Sequence, residues 1–312
     1  MNELAICTTT INPPSEALKR FAAFKNWDLV VALDTNSSEF HLDGAIILDI
    51  EDQINLSPRL SEAIGFNTIQ RRNFAHLWAL REGYKRIAFV DDDNIPQSNW
   101  EAIAEEEYFL AMEFETSLPI FDPLATILET QEAKVAHRGV PINQYGHENT
   151  KPTSLKTLKI KPDITAMLWD GDWDVNAVDR IHRNCNGTLT VQNPFFCNTA
   201  GPFNSQNTVI SATAAKDYFL LPFVGRFDDI LASYILRLMN YSCVYTEPTV
   251  TQIRNPHLLY RDISNETWGY HYLEEILCEL QSGKHLSDLE IIPKRTKKAL
   301  EIWNSEIERI FQ

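Results

Sequence analysis

Short unbroken apolar runs alternate along this chain with stretches in which apolar positions recur every three or four residues. That alternation predicts parallel strands joined by helices. Residues 4–9 read as a first strand, and Pro13 and Pro14 open a helix through about residue 24 with Ala17, Leu18, Phe21 and Phe24 on its apolar face. Residues 29–33 are continuously apolar, as a strand covered on both faces should be, and the run stops at Asp34. A third strand follows at 46–48, then a helix over 67–83 closed by Gly83, then a strand at 87–90.

Beyond residue 97 the pattern weakens. Residues 101–115 read as an acidic helix, and the stretch 97–165 as an insertion or lid. Further strands are expected at 189–191 and 208–210, and a helix at 228–238 presents Ile230, Leu231, Tyr234, Ile235 and Leu238 on one face. From about Trp268 the chain reads as two amphipathic helices broken near Gly283. The expected organisation is a Rossmann-like α/β domain over 1–265, its central sheet mostly parallel and flanked by helices, with a helical extension over 266–312.

At 312 residues the chain is long enough for a large core, and its 44% hydrophobic content excludes a disordered or low-complexity protein. With 28 basic and 43 acidic residues the formal charge is −15, the wrong sign for gripping nucleic acid or an anionic membrane. An anionic ligand therefore needs local cations. Five cysteines without CxxC spacing suggest neither a disulfide framework nor structural zinc. The N-terminus has no signal-like pattern and no stretch has the roughly 20 apolar residues of a spanning helix, so a cytoplasmic protein without a transmembrane segment is expected.

Asp91, Asp92 and Asp93 follow the strand at 87–90 directly, and three acids at the end of a buried strand repel one another unless a cation sits among them. Residues i and i+2 of an extended segment share a face, so Asp91 and Asp93 point together, and their hard oxygens suit Mg²⁺ or Mn²⁺. The competing reading is an acidic turn capping the next helix. Arg71 and Arg72 stand at the start of the 67–83 helix, where acids are usually favoured, which calls for an anion nearby. Residues 168–176 put Trp169, Asp170 and Asp172 into what reads as a loop, a pairing of aromatic face and carboxylates that suits a sugar. Asp228 and Asp229 precede an amphipathic helix, so one is expected to cap it and the other to face the pocket. Arg254 and His257 lie in a polar loop, and a neutral His could complete the metal sphere.

Together these segments resemble a GT-A type glycosyltransferase, specifically the STELLO-like family related to the reversibly glycosylated polypeptides (UDP-arabinopyranose mutases). The resemblance is carried by Arg71-Arg72-Asn73 through Gly83 into VDDDN, by His137-Arg138-Gly139-Val140-Pro141, by LWDGDWDVNAVDRI, by Gly201 to Thr208, by GRFDD and by RNPH. It implies that Asp91 and Asp93 form a DxD element, with Asp93 a metal ligand and His257 a further one. It also implies that Thr8, Thr9, Asp34, Arg72 and Asp92 lie around the nucleotide, Asn204 near the nucleotide sugar, and Asp228 or Asp229 at the sugar and acceptor. The expected activity is Mn²⁺- or Mg²⁺-dependent transfer from a nucleotide sugar, a UDP-sugar first, to a glycan or other hydroxyl acceptor, in a protein free to form oligomers. A mutase acting through a glycosylated Arg138, and a silent binding or scaffold protein, are the alternatives. Trp173 and Asn176 stand where the family pattern has Pro and Asp.

Overall fold

The computed structural model describes residues 3–128, 135–144, 150–255 and 258–312. The first half comprises β1 (Leu4–Thr10), α1 (Glu16–Ala22), β2 (Trp27–Leu33), β3 (Ala45–Leu48), α2 (Ile50–Leu56), α3 (Pro58–Ile64), α4 (Arg72–Arg81) and β4 (Arg86–Val90). There follow β5 (Asn94–Pro96), α5 (Trp100–Glu105), β6 (Phe109–Thr116), α6 (Pro123–Leu128), β7 (Thr150–Ile160), β8 (Ile164–Asp172), α7 (Asp179–His182), β9 (Asn186–Gly187), β10 (Phe195–Cys197) and β11 (Asn207–Ser211). The chain closes with α8 (Ala212–Ala215), α9 (Asp228–Leu238), β12 (Cys243–Gln252), α10 (Leu259–Gln281) and α11 (Lys294–Phe311).

Local sequence sets the boundaries. Ser15 caps α1 by accepting from Leu18 N, Asp49 and Asp52 form a capping box on α2, and Ser57 followed by Pro58 starts α3. Gly83, at φ +82°, ends α4: its N–H donates to Leu80 O while Tyr84 N donates to Ala79 O, which satisfies two orphan carbonyls of the last turn.

The strands form one mixed sheet in the order β3-β2-β1-β4-β11-β8-β12-β10-β6-β7, with β5 paired to β12 and β9 to β8. The first four are parallel, the Rossmann-like α/β half that the sequence predicts. β11 then runs antiparallel to both β4 and β8, and β12 runs parallel to β8. The second half of the sheet is therefore mixed rather than mostly parallel. One edge of the sheet consequently collects the carboxyl ends of β1, β2, β4, β8 and β12 together with the amino end of β11.

Several expectations needed correction. The acidic helix stops at Glu105, because from Phe109 burial alternates with the two-residue period of a strand, Phe109 and Ala111 inward and Leu110 outward. The described parts of 97–165 include β6 and β7, which extend the sheet. No strand forms at 189–191; β10 forms at Phe195 instead. Residues 164–172 are a sheet strand, so the loop begins only after Asp172. The two C-terminal helices are present, α10 starting earlier at Leu259, and Leu273, Ile276, Ala299 and Trp303 join the same buried cluster as the sheet.

His76 of α4 lies wholly inside that cluster, its ring 4.9 Å from Phe89 and 5.0 Å from Trp303. Burial pushes its pKa from 6.5 to about 3, against a weaker upward pull from the Ala215 backbone. The unfolded chain therefore takes up this proton first as pH falls, so stability is complete above pH ~6.5 and lost progressively toward pH 3. Replacing His76 by Leu should recover about 2 kcal/mol of that loss at pH 5. Urea unfolding of both proteins from pH 4 to 7 checks this, and parallel pH profiles would disprove it.

Candidate active site

The site opens at the edge where those strand ends meet, at the point where the strand order reverses about β1. Its cleft of about 330 Å³ is lined by three groups of charged side chains: Asp91, Asp92 and Asp93 with Arg72; Asp228 and Asp229 with Arg138; and Arg226 and Arg254.

The acidic triplet connects β4 to β5. Asn94 N donates to Asp91 O to make the turn, and Ile253 N donates to Asp93 O, tying the turn to the end of β12. The triplet caps no helix, since the chain runs on into a strand. Each carboxylate meets a different neighbour. Asp91 Oδ1 accepts from Arg72 Nη2, and Arg72 Nη1 donates to Ser205 O and Oγ, both at 2.9 Å. Arg72 is buried; burial lowers its pKa, but the Asp91 charge and hydrogen bond more than offset this and hold it protonated. Burial raises the Asp91 pKa, with Asp92 and Asp229 adding to the rise and Arg72 opposing it. Asp92 also lines the cleft, but its Oδ2 accepts from Thr10 Oγ1 and from Asn12 Nδ2 at 2.9 Å. Asp93 Oδ2 accepts from Asn255 N at 3.3 Å, while its Oδ1 is buried without a hydrogen-bond partner among the described residues. Burial, then the Asp91 charge, brings Asp93 up to about 7.

On the facing wall, Asp228 and Asp229 begin α9, and neither caps it: Phe227 is the cap residue and makes no side-chain cap bond. The two carboxylates have separate environments. Arg138 Nη1 and Nη2 donate to the two oxygens of Asp229 at 3.0 and 2.9 Å, and Ser205 N donates to Oδ2 at 3.0 Å. Burial would raise Asp229, but Arg138 wins and holds it below the usual carboxylate range. Asp228 accepts from Gln70 Nε2 at 2.7 Å, and burial followed by the Asp229 charge raises it to about 7. Gly225, at φ +64°, lets the chain turn into this wall, where an added Cβ would stand 2.0 Å from Asn265 O.

Asp174, which sequence reasoning did not single out, is the centre of the charge network. It is fully buried, both of its oxygens accept from Arg138 Nε (3.0 and 2.9 Å), Oδ2 also accepts from Asn204 Nδ2 (2.9 Å), and Arg254 Nη2 lies at 3.4 Å. Despite burial, these cations hold it well below the carboxylate range. The signal for it was present as a third acid in the alternating series 170, 172, 174.

Of the residues nominated from sequence, Thr9, Arg72, Asp91, Asp92, Asp93, Asp228 and Asp229 line the cleft. The others do not. Thr8 Oγ1 donates to Val90 O at 2.8 Å and braces β1 against β4. Asp34 accepts from Thr35 N at 2.6 Å and Thr68 N at 2.9 Å, bracing two loops. Arg71 turns the other way, donating to Ser61 Oγ and lying 4.5 and 4.8 Å from the Phe66 and Phe74 rings. Trp169 is a core residue, so it offers no sugar platform. Asp170 is held by Gln97 and Leu189 N, Asp172 by Asn186 and Arg254 N, and Asn204 backs Asp174 behind the cleft wall. His257 lies outside the described residues.

A curated protein, the probable glycosyltransferase STELLO2 of Arabidopsis thaliana, is 27% identical over 88 residues. This chain is similar to the STELLO glycosyltransferases. The match takes in 28% of this chain and 12% of STELLO2, so it spans about an eighth of that protein's length. No protein-family model matches the chain. Among solved structures, glucosyl-3-phosphoglycerate synthase of Mycobacterium tuberculosis in complex with phosphoglyceric acid superposes with a TM-score of 0.40 at 10% identity, over 90% of this chain and 80% of that one. No helix among the described residues is long and apolar enough to cross a membrane.

Proposed function

We propose that this chain is a metal-dependent glycosyltransferase that moves a sugar from a nucleotide sugar, a UDP-sugar first among them, to a hydroxyl acceptor in the cytoplasm. The observation that carries the reading is the pairing, across one cleft, of the Asp91–Asp93 element with a separate carboxylate, Asp228. The STELLO-like stretch supports it.

The residues present fit a hard divalent cation. Asp93 Oδ1 is a buried oxygen without a partner among the described residues, and Asp91 stands beside it. Among the described residues no three His, Cys, Asp or Glu side chains form a complete cage, which suits Mn²⁺ or Mg²⁺ held by two carboxylates and completed by substrate phosphates and water. Bound there, the cation would neutralise charge on the departing diphosphate.

The chain's own groups account for the rest. Arg72 fixes Asp91, while Arg254 and Arg226 present cations toward the diphosphate side of the cleft. Asp228 takes the proton of the acceptor hydroxyl as that oxygen bonds to the anomeric carbon and the carbon–diphosphate bond breaks. A single displacement of this kind inverts the anomeric configuration. Asp229 stays ionised and, through Arg138, keeps the wall in place.

A mutase working through a sugar on Arg138 is disfavoured by the same geometry. Arg138 donates from Nε, Nη1 and Nη2 to two buried carboxylates, which hold it protonated and leave no lone pair for attack.

Thermal unfolding with a panel of nucleotide sugars, each with and without Mn²⁺, tests the proposal. A true donor at about a hundred times its dissociation constant should add about 2.7 kcal/mol, only with the cation. Absence of stabilisation across the panel would sink it, and an isomerised sugar formed without acceptor would favour the mutase.

A further inference from the structure

A second cleft abuts the first behind the segment that carries Arg254 and Asn255, residues that line both. Its wall is cationic: Arg180 and Arg183 line it beside Arg254, and Trp173 lines it too. Arg183 has Asp179 at 3.6 Å, but Arg180 and Arg254 have no carboxylate to themselves among the described residues. Arg138 and Arg226 each reach Asp174 but have carboxylates of their own, Asp229 for one, Glu266 at 3.0 Å and Asp262 at 3.4 Å for the other. Arg180 and Arg254 share only Asp174, at 3.9 and 3.4 Å, and that carboxylate already holds Arg138. Both Nε atoms, of Arg180 and of Arg254, are buried with no hydrogen-bond partner among the described residues. Among the described residues the single carboxylate lining this cleft, Asp172, is already taken up by Asn186 and Arg254 N. Burial followed by the Arg254 charge lowers Arg180 to about 10, more than the upward pull of Asp174 offsets.

We propose that this second cleft holds the acidic group, a carboxylate or a phosphate, of an anionic acceptor whose hydroxyl reaches the first cleft past Arg254. The inference rests on the transferase reading and adds the acceptor's chemical class. Guanidinium groups favour both anions through paired N–H donors, so chemistry alone leaves the two sources to experiment. In a chain of formal charge −15 such a site also confines the anion to one place, because the surrounding field repels it elsewhere.

The test is calorimetric titration of the full chain with inorganic phosphate and, separately, glucuronate, after the first cleft is filled with UDP and Mn²⁺. One of the two should bind saturably at one site, which names the acidic group. Arg180→Gln should weaken that binding about tenfold and Arg183→Gln roughly threefold, with UDP·Mn²⁺ affinity changed by less than about twofold in both. Arg183 guards against misfolding, since its side chain is 42% exposed. The proposal is overturned if neither anion binds, or if the variants lose UDP·Mn²⁺ instead, which would assign the cations to the donor. If UDP·Mn²⁺ does not bind at all but the variants still lose the anion, the cleft stands as an anion site and the transferase reading falls.

Discussion

Asp228→Asn should lower the transfer rate about a thousandfold while leaving donor affinity within about twofold, because a positioned base contributes to the reaction and not to holding the nucleotide. The isostere keeps the Gln70 contact through its carbonyl oxygen, so the loss reports proton transfer rather than collapse of the wall. Asp228 is brought to about 7 by burial and by Asp229, and it acts in its ionised form. With Mn²⁺ saturating, which keeps Asp93 ionised, wild-type transfer should therefore rise with pH through about 7 and then level, and the residual activity of the variant should lack that limb.

Stability should move in the opposite direction. The folded pKa stands about three units above that of the unfolded chain, so the folded state gains from protonation at low pH and loses that gain as pH rises through 7. At pH 8 the wild type carries an ionised buried carboxylate that Asn removes. The variant should be more stable there by up to about 4 kcal/mol, and the gap should close toward pH 4. A variant retaining more than about a tenth of the rate would show that Asp228 is not the base.

The second large effect is expected at Asp93. Asp93→Ala should abolish the Mn²⁺-dependent part of donor binding, a loss of about a hundredfold or more in affinity, since it removes a carboxylate of the cleft wall whose Oδ1 has no hydrogen-bond partner among the described residues. Without cation or donor, the variant should unfold at the same temperature as wild type or higher, because a desolvated carboxylate has gone and only the Asn255 N–H loses an acceptor. Thermal unfolding with and without Mn²⁺ and donor reads both outcomes. If Asp93→Ala retained cation-dependent stabilisation by the donor, the metal would have to sit elsewhere.

Much of this site was legible because it sits at strand ends. A buried apolar run that stops abruptly at an acid marks both a sheet edge and a desolvated charge, as with Val90 and Asp91. What stayed hidden depended on partners remote in sequence. Arg71 and Arg72 are adjacent and chemically identical, and only the Phe66 and Phe74 rings, which take up Arg71, leave Arg72 to the cleft. Asp170, Asp172 and Asp174 are equivalent by spacing, and Arg138 and Asn204 select the third. β8 was obscured at its end because Asp170, Gly171 and Asp172 look like a turn. The Asp228–Asp229 pair likewise suggested a helix cap, until Gln70 and Arg138 gave each carboxylate a separate occupation.

The clamp of Arg138 between Asp174 and Asp229 sets a rule for how chains of this kind can diverge. Truncating the arginine alone would strand two buried carboxylates at a penalty on the order of 3–5 kcal/mol, whereas exchanging all three for well-packed apolar side chains can be neutral once Arg180 and Arg254, which also lean on Asp174, are exchanged with them. The three positions should therefore be inherited or lost as a set. A related sequence that keeps Asp228 yet holds apolar residues at the other three would be a natural experiment, separating the base from the brace that positions its neighbour.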